Sequence, residues 1–258
     1  MIHKYKITLE YDGTNFSGWQ KQNNAKSIQG TLITAAQNFL DVPVEIQGAG
    51  RTDAGVHALA QVAHLESSRK INPETLRIGL NDNLPSSINI LRVENAQPRF
   101  HARHHAVARS YLYFIARRRT AFGKRYVWWI KDNLDIKKMQ QAINVFSGFH
   151  DFSSFADKRM DKETSTQVNI EDVQLKEFAD IIAIRIRGSH FLWKMVRRIV
   201  GITCEAGRGN FTIRDIEQLL NSHSDIPARF TAPPSGLFLE KVLYAGDSLQ
   251  EMKPLINL

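Results

Sequence analysis

The chain has 258 residues, 43% of them hydrophobic, which is enough to bury a core in one large domain or two modest ones. Its formal net charge of +8 favours a polyanionic partner, with nucleic acid ahead of a membrane surface. The single cysteine, Cys204, excludes an intramolecular disulfide and a zinc site made of thiolates, and it is expected in the core. The polar, basic N-terminus and the absence of a long apolar run predict a cytoplasmic protein with no signal peptide and no membrane span.

The first half of the chain, residues 1–103, is predicted to alternate strands with helices. Ser27 is a candidate N-cap for an amphipathic helix over Ile28–Leu40, and Asn72, followed by a first-turn proline, begins a second helix that ends near Leu80. Period-two patterns predict the strands of this half, which are Lys4–Glu10, Val42–Gln47, Leu59–Glu66 and Ile88–Val93.

The segment Asn15–Gln22 is predicted to be a loop rich in aromatic and amide side chains. Such groups suit stacking on nucleic-acid bases and hydrogen bonding to them. The competing interpretation is that Phe16 and Trp19 fold the loop back onto the core. The residue types leave both interpretations open.

The segment Gln47–Ala58 connects two predicted strands and contains more small residues than a tight turn needs. Glycines at positions 48, 50 and 55 allow positive φ angles or a close approach to a ligand. Their small neighbours leave space around Arg51 and Asp53, and the guanidinium favours the ionised form of the carboxylate. The pattern fits a site built for a single nucleophile, and it fits a tight strand connection with a surface ion pair equally well.

The segment Arg99–Arg109 interrupts the strand-and-helix pattern with basic residues. Around Phe100 it contains Arg99, His101, Arg103, His104, His105 and Arg109. No carboxylate lies among the histidines and the arginines repel cations, so a metal site is the weaker interpretation and a phosphate-facing connector the better one. The basic and aromatic character continues at Arg117–Arg119, Lys124–Arg125, Trp128 and Trp129.

The second half, residues 104–258, is predicted to repeat the mixed style of the first. Helix signals are an Asp135 cap before Ile136, apolar spacing over Phe191–Gly201, and a Thr212 cap before a helix that ends at Asn221. The predicted strands are Ser110–Ala116, Val168–Phe178, Ile181–Arg187 and Leu237–Tyr244. Two similar α+β halves joined by a basic connector predict a central basic cleft.

Several catalytic classes are excluded by their motifs. The chain has no P-loop, no dinucleotide fingerprint, no His-Glu-x-x-His and no Gly-x-Ser-x-Gly. Asp53 and His57 would make a metal pair, but no third ligand is evident and Arg51 disfavours a cation. What remains is an ionised aspartate in a small-residue loop of a basic protein, and such an aspartate can act as a nucleophile in glycosyl chemistry.

The run Gly50-Arg51-Thr52-Asp53-Ala54-Gly55-Val56-His57-Ala58 resembles the catalytic loop of the TruA family of tRNA pseudouridine synthases. Other family-like pieces occur in the expected order over nearly the whole chain. They are Tyr11-Asp12-Gly13-Thr14 with Gly18-Trp19-Gln20, Phe100-His101-Ala102-Arg103 with Arg109 and Tyr111, Phe191-Leu192 with Met195-Val196-Arg197, and Pro233 with Gly236-Leu237. The resemblance implies the pseudouridine synthase fold, which is α+β with two similar subdomains and a mixed, mainly antiparallel sheet around the basic cleft.

The resemblance also implies roles for individual residues. Asp53 matches the family's aspartate nucleophile, and Tyr111 matches the tyrosine that stacks on the target base. Arg197 matches the arginine that pairs with the aspartate, and Arg51 the loop arginine that helps hold the flipped nucleotide. The remaining candidate substrate-binding residues are Arg103, Arg109 and His57.

The implied reaction is isomerisation of uridine to pseudouridine in tRNA, without cofactor or metal, on a nucleotide flipped out of its stem. Attack of Asp53 on C1′, attack on C6 and a glycal intermediate all stay open. Family members are homodimers that bind the anticodon stem-loop and modify uridines 38, 39 and 40, so tRNA and a second copy of the chain are the implied partners. The chain departs from the family pattern at His104, His105, Arg198 and Phe155–Thr166, which bears on the target positions more than on the chemistry.

Two other functions compete with this enzyme. A non-catalytic tRNA-binding or chaperone protein on the same fold would have no need of a carboxylate in a phosphate-rich cleft, so the set of Asp53, Tyr111 and Arg197 argues against it. A nucleoside or glycoside hydrolase would need a second acid near Asp53, and none is evident in the sequence.

Overall fold

The structure is a computed structural model that describes residues 1–160 and 163–254. Packing divides the chain into two units. The first unit is Met1–Val107 with the returning segment Phe238–Ser248, and the second is Ala108–Leu237 with the residues that follow Ser248. The boundary predicted from the sequence, after Arg103, lies shortly before this division, and the return of Phe238–Ser248 to the first unit was not predicted.

The first unit is a sheet with two helices. Numbered along the whole chain, its strands are β1 (His3–Tyr11), β2 (Val44–Gly48), β3 (His57–Ser67), β4 (Ile88–Asn95) and β10 (Leu237–Leu243), and its helices are α1 (Ile28–Leu40) and α2 (Pro73–Asn83). The strand order is β4-β1-β3-β10, and β2 also pairs with β3. All of these pairs are antiparallel except β3 with β10, where His57 lies opposite Phe238. The strand β3 is therefore central, and the Gly-rich loop leads directly into it.

The predicted caps of α1 and α2 are confirmed. The Ser27 hydroxyl accepts a hydrogen bond from the Gly30 N–H (3.2 Å), and the Asn72 side chain accepts one from the Glu74 N–H (2.9 Å). Each bond satisfies a donor that the first turn of a helix leaves without a partner. The apolar faces of both helices are buried against the sheet of this unit, through residues such as Leu32.

The second unit has a similar layout. Its strands are β5 (Ala108–Ala116), β6 (Trp128–Trp129), β7 (Gly148–Asp151), β8 (Gln167–Phe178) and β9 (Ile181–Gly188), and its helices are α3 (Ile136–Asn144), α4 (Met195–Arg208), α5 (Ile213–Asn221) and α6 (Ile226–Arg229). The order is β5-β9-β8-β7 with antiparallel pairing, and β6 adds to β5 in parallel. The α+β class with mixed, mainly antiparallel pairing is confirmed. The short β7 and α6 were not predicted.

The predicted bounds of α4 were wrong at both ends. The sequence placed this helix at Phe191–Gly201, whereas the structure has it at Met195–Arg208. Lys194 adopts a left-handed conformation (φ 63°), which stops the helix from starting earlier. At the other end, Gly209 (φ 86°) provides the left-handed residue that ends many helices.

Cys204 lies in the buried face of α4, so its predicted core position is confirmed. Burial raises the pKa of its thiol to about 12, which keeps it protonated and unreactive at neutral pH. Across residues 1–160 and 163–254, no helix combines the length and the apolar character needed to cross a membrane.

Candidate active site

The loop Ala49–Val56, called the Asp53 loop below, connects β2 to β3. Its course is fixed by specific contacts. The side-chain amide of Gln61 donates a hydrogen bond to the carbonyl of Gly50 (3.0 Å). Gly55 adopts a φ of 76°, which turns the chain back toward β3 and which a residue with a Cβ rarely adopts. The loop is therefore a defined turn that can hold a side chain in one place.

The segment from Asp12 to Gln22 packs against the Asp53 loop. The Trp19 N–H donates to the carbonyl of Thr52 (3.0 Å). A Cβ added to Gly18 would lie 2.6 Å from that same carbonyl oxygen, so the close approach needs glycine. Phe16 and Trp19 are both buried. Of the two interpretations of this segment, the one in which these aromatic residues fold back onto the core is confirmed.

Tyr11, the last residue of β1, forms a side-chain hydrogen bond with the Asp53 loop. Its hydroxyl lies 2.8 Å from the hydroxyl of Thr52, and either group can be the donor. Burial raises the pKa of Tyr11 to about 12, and hydrogen bonds from Thr52 and Gln61 offset only part of that effect. The phenol therefore stays protonated at neutral pH and is a neutral support for Thr52, the residue that precedes Asp53.

His57, predicted to bind substrate, lies at the start of β3 with 1% of its surface exposed. Its ring stacks on Phe238 with 4.6 Å between centroids. Its Nδ1 atom accepts a hydrogen bond from the Gly13 N–H (3.1 Å) and also lies 3.1 Å from a carboxylate oxygen of Asp12. The first contact requires an Nδ1 atom without a proton and the second an Nδ1 atom that carries one, since one nitrogen cannot accept and donate at once. These contacts tie His57 to Asp12 and Gly13, which follow β1, and a direct contact of His57 with substrate stays a prediction.

Asp53 is half-buried and Arg51 is exposed. The Asp53 carbonyl accepts a hydrogen bond from the Val56 N–H (3.1 Å), which sets the turn that carries the carboxylate. No atom lies within 4 Å of a Cβ added at Gly50, so there is open space at this side of the loop. A half-buried carboxylate held on a defined turn can serve as a nucleophile or a base.

Tyr111 and Arg109 lie on β5 in the second unit. Tyr111 is largely buried and meets the ring of Phe191 edge-on, with 5.0 Å between centroids. Arg109 is half-buried and donates to the carbonyl of Ser189 (3.1 Å). Both contacts reach the segment that follows β9, because β5 and β9 are adjacent and antiparallel. The structure thus brings these two predicted residues together on one strand.

Arg197 lies in the first turn of α4. Its Nε atom donates to the carbonyl of Ala232 (2.7 Å), and its own carbonyl accepts from the Ala232 N–H (3.0 Å). It also lies close enough to Tyr113 to influence that buried hydroxyl, whose pKa is raised well above its usual value mainly by burial. Tyr113 in turn donates to the carbonyl of Pro233 (2.8 Å). The segment before β10 therefore anchors Arg197 at two points.

Arg103 is exposed in the turn His101–His105, called the histidine turn below. Four backbone N–H groups of this turn donate to the Nδ1 atoms of imidazole rings. These bonds run from Ala102 to His64 (3.2 Å), from His101 to His105 (2.9 Å), and from Arg103 and His104 to His101 (3.2 and 3.4 Å). A ring nitrogen that accepts carries no proton, and the lowered pKa values of His64 and His101 agree with neutral rings at these two positions. Within the described residues no group of three or more His, Cys, Asp or Glu side chains could hold a metal ion.

Comparison with known proteins identifies the family. A family model described as tRNA pseudouridine synthase matches residues 7–105 and 142–245, which include the Asp53 loop and α4. The chain belongs to this family. It is 37% identical over 250 residues to the tRNA pseudouridine synthase A of Thermodesulfovibrio yellowstonii, covering 93% of this chain and 98% of that protein. It is 38% identical over 240 residues to the tRNA pseudouridine synthase A of Thermoanaerobacter sp., covering 92% of this chain and 98% of that protein.

The family resemblance carried by Gly50–Ala58 is therefore confirmed. Among solved structures, an archaeal box H/ACA sRNP Nop10-Cbf5 complex aligns with a TM-score of 0.37 and 8% sequence identity, over 78% of this chain and 42% of that one. The assignment to the tRNA pseudouridine synthase family does not rest on that alignment.

Sequence reasoning on this tRNA pseudouridine synthase missed the residues that support the predicted site. Tyr11 and Thr52 lie 41 positions apart, and nothing in their local patterns links the two hydroxyls. Tyr113 carries a weak signal, because it shares a strand face with Tyr111. Ala232, which holds Arg197, carries none, since its contribution is made by backbone atoms.

Proposed function

We propose that the protein isomerises uridine to pseudouridine in tRNA and that Asp53 carries the chemistry. The observation that supports this most is a half-buried Asp53 on a loop held by specific hydrogen bonds, in a chain that belongs to the tRNA pseudouridine synthase family. Relatives that match more than nine-tenths of the chain bear the name tRNA pseudouridine synthase A. The proposal extends that activity to this chain.

The reaction rearranges bonds within one nucleotide. The bond between N1 of uracil and C1′ of ribose breaks, the base rotates, and a bond forms between C5 and C1′. The proton on C5 leaves to solvent and N1 gains one, so the product is an isomer of the substrate. The Asp53 carboxylate takes one of three roles, which are attack on C1′, attack on C6, and removal of a ribose proton to give a glycal.

The other predicted residues act around this step. Tyr111 stacks on the target base and Arg197 pairs with Asp53, as their match to the family pattern implies. Arg51, exposed on the same loop, holds the nucleotide that has been flipped from its stem. The anchoring of Arg197 by Ala232 supports a fixed role for that guanidinium.

Contacts with the rest of the RNA are assigned to residues with basic or hydrogen-bonding side chains. These are Arg103, Arg109 and His57. We further propose that the target lies in the anticodon stem-loop at uridines 38 to 40, that the protein works as a homodimer, and that it acts in the cytoplasm. Pseudouridine mapping of tRNA from cells that lack the protein would locate the target positions.

Release of tritium from tRNA labelled at C5 of uracil tests the activity. Wild-type protein is expected to release tritium, and Asp53→Asn, which keeps the shape of the side chain, is expected to be at least about a thousand-fold slower. Retained release in Asp53→Asn would exclude Asp53 as the chemical group. If both proteins rescued tRNA folding equally and neither formed pseudouridine, the non-catalytic tRNA-binding function would replace the enzyme.

A further inference from the structure

The segment Arg117–Lys131, called the β5 tip below, follows the end of β5 and returns to pair as β6. It contains six basic side chains and no acidic one. Two of the six are neutralised at the base of the tip. Arg117 lies 2.6 Å from Glu177 and Arg118 lies 2.8 Å from Asp180, across the β8–β9 hairpin.

Other basic side chains of the β5 tip are not neutralised in this way. Arg119, Lys124 and Lys131 are all exposed, and within the described residues no carboxylate pairs with any of them. Their charges are therefore left to solvent or to a partner. Such a cluster attracts polyanions, and releases counterions when it binds them.

Two large aromatic rings are exposed among these cations. Phe122 is 84% exposed and Trp129 is 42% exposed. The Phe122 backbone is held on both sides by Thr120, whose hydroxyl donates to the Phe122 carbonyl (2.6 Å) and accepts from its N–H (3.1 Å). Trp129 is held by pairing with Ala116, and the Arg119 guanidinium lies 5.9 Å from its ring. Exposed rings on a backbone held in this way are suited to stacking on bases.

We propose that the β5 tip is an RNA-binding surface that adds affinity for tRNA without taking part in the chemistry. The choice of tRNA as the RNA that binds there rests on the proposed function. Tyr111 and Ala116 are five residues apart on β5, which is about 17 Å along the strand. The exposed cations and the rings of Phe122 and Trp129 lie at or beyond the end of β5, so they contact nucleotides other than the one that stacks on Tyr111.

Charge favours RNA over a second copy of the chain as the partner. A symmetric dimer centred on the β5 tip would bring Arg119, Lys124 and Lys131 close to the same cations of the second copy. RNA offers phosphates to the cations and flat bases to Phe122 and Trp129. RNA would therefore contact both the cations and the aromatic rings of this surface.

Charge reversal tests the cationic part. The double variant Arg119→Glu/Lys124→Glu is compared with Lys137→Glu/Arg214→Glu, which reverses two exposed charges elsewhere in the same unit. Affinity for a tRNA transcript is measured by fluorescence anisotropy over a series of salt concentrations. The β5-tip variant is expected to bind at least about ten-fold more weakly, with a salt slope smaller by about one for each phosphate that it no longer neutralises. The control is expected to bind like wild type.

Removal of the ring tests the stacking part. Phe122→Ala is expected to weaken tRNA binding about five-fold or more and to leave the salt slope unchanged. The matched control is Phe149→Ala, which removes another ring, 67% exposed, from β7. Both positions are exposed, so neither change opens a cavity in the core. In tritium release, Phe122→Ala is expected to raise KM and to leave kcat unchanged.

Three results would overturn the proposal. They are affinities equal to those of the control variants, a loss of kcat with unchanged KM, and a change of oligomeric mass in analytical ultracentrifugation, which would identify the tip as a protein interface. Binding is measured separately from pseudouridine formation. A wild-type protein that binds tRNA through the tip but forms no pseudouridine would contradict the proposed function and leave the RNA-binding surface standing.

Discussion

The Asp53 loop and the histidine turn are short connections in the same unit, both predicted to face RNA, and they are held in different ways. The Asp53 loop is held by close backbone contacts at glycines and by the neutral pair of Tyr11 and Thr52. The histidine turn is held by N–H groups that donate to neutral imidazoles. Burial keeps the Tyr11 phenol protonated near neutral pH, whereas the pKa values of His64 and His101 in the histidine turn are lowered from 6.5.

Because of this difference, we expect the two loops to respond to different perturbations. The Asp53 loop is sensitive to added volume, because its neighbours leave no room for a Cβ at several glycines. The histidine turn is sensitive to protons, because a protonated imidazole cannot accept the N–H that it now binds. We expect steric changes to have the larger effect, since they act directly on the loop that carries Asp53.

The largest effect is expected for Gly13→Ala. A Cβ at this position would lie 2.0 Å from the carbonyl oxygen of Val56, which is backbone and cannot rotate away. The Asp53 loop must shift, and we expect a loss of about 2–3 kcal/mol in the free energy of unfolding. A displacement of the carboxylate by about 1 Å should lower the rate of tritium release about a hundred-fold. Urea denaturation and the tritium assay measure the two quantities.

Gly50→Ala is the matched control for that change. It lies in the Asp53 loop itself, but nothing lies within 4 Å of the added Cβ. We expect stability and rate close to those of wild type. If Gly13→Ala behaved in the same way as Gly50→Ala, close packing would not be what holds the Asp53 loop.

A smaller effect is expected for Tyr11→Phe. The change removes the hydroxyl that contacts Thr52 and leaves a buried hydroxyl without that partner, which costs about 1–2 kcal/mol. The loop loses one support, so we expect the tritium-release rate to fall on the order of ten-fold. Thermal unfolding and the tritium assay measure both effects on the same preparation.

Tyr5→Phe provides the comparison, because Tyr5 lies on the same strand, β1. Its hydroxyl donates to the carbonyl of Ile71 (3.1 Å) and accepts from the Ile71 N–H (2.8 Å), away from the Asp53 loop. A similar loss of stability with full activity is expected. Equal losses of activity in Tyr5→Phe and Tyr11→Phe would mean that activity follows global stability and not the support of this loop.

The sequence predicted the elements whose signals are local. The caps at Ser27, Asn72, Asp135 and Thr212 were all confirmed, because each involves a side chain and an N–H two or three residues away. The start of α4 was wrong because apolar spacing continues through Lys194, whose left-handed backbone the pattern does not encode.

Contacts between distant segments were beyond sequence reasoning. The orientation of Trp19 depends on Gly48, where an added Cβ would lie 2.5 Å from the indole ring. Glycine at that position was recognised, but its partner was not. In the same way, the resemblance identified Asp53, whereas its support by Tyr11 emerged only from the structure. A motif identifies the residue that reacts, whereas contacts between distant segments determine which residues hold it in place.

The smallest effect is expected from pH, and it acts on the histidine turn. The pKa values of His64 and His101 are both lowered from 6.5, first by burial and then by neighbouring positive groups, which include Lys4 in both cases. The unfolded chain therefore binds protons that the folded turn does not. Stability contributed by these groups is present above about pH 6.5 and is lost as the pH falls below it.

His101→Asn removes the contribution of His101 to this titration and keeps an acceptor for the N–H of Arg103, because the Asn side-chain oxygen can bond to a backbone N–H two residues ahead. The free energy of unfolding of this variant should fall less steeply below pH 6.5 than that of wild type, whereas His3→Asn, on β1, should match wild type. Amide hydrogen exchange locates the effect. On moving from pH 7.5 to 5.5, and after correction for the intrinsic exchange rate, the N–H of Arg103 should lose protection while the N–H of Val56 keeps it. Equal loss at both would mean that the Asp53 loop and the histidine turn open together, and the distinction between a loop held by packing and one held by neutral imidazoles would not stand.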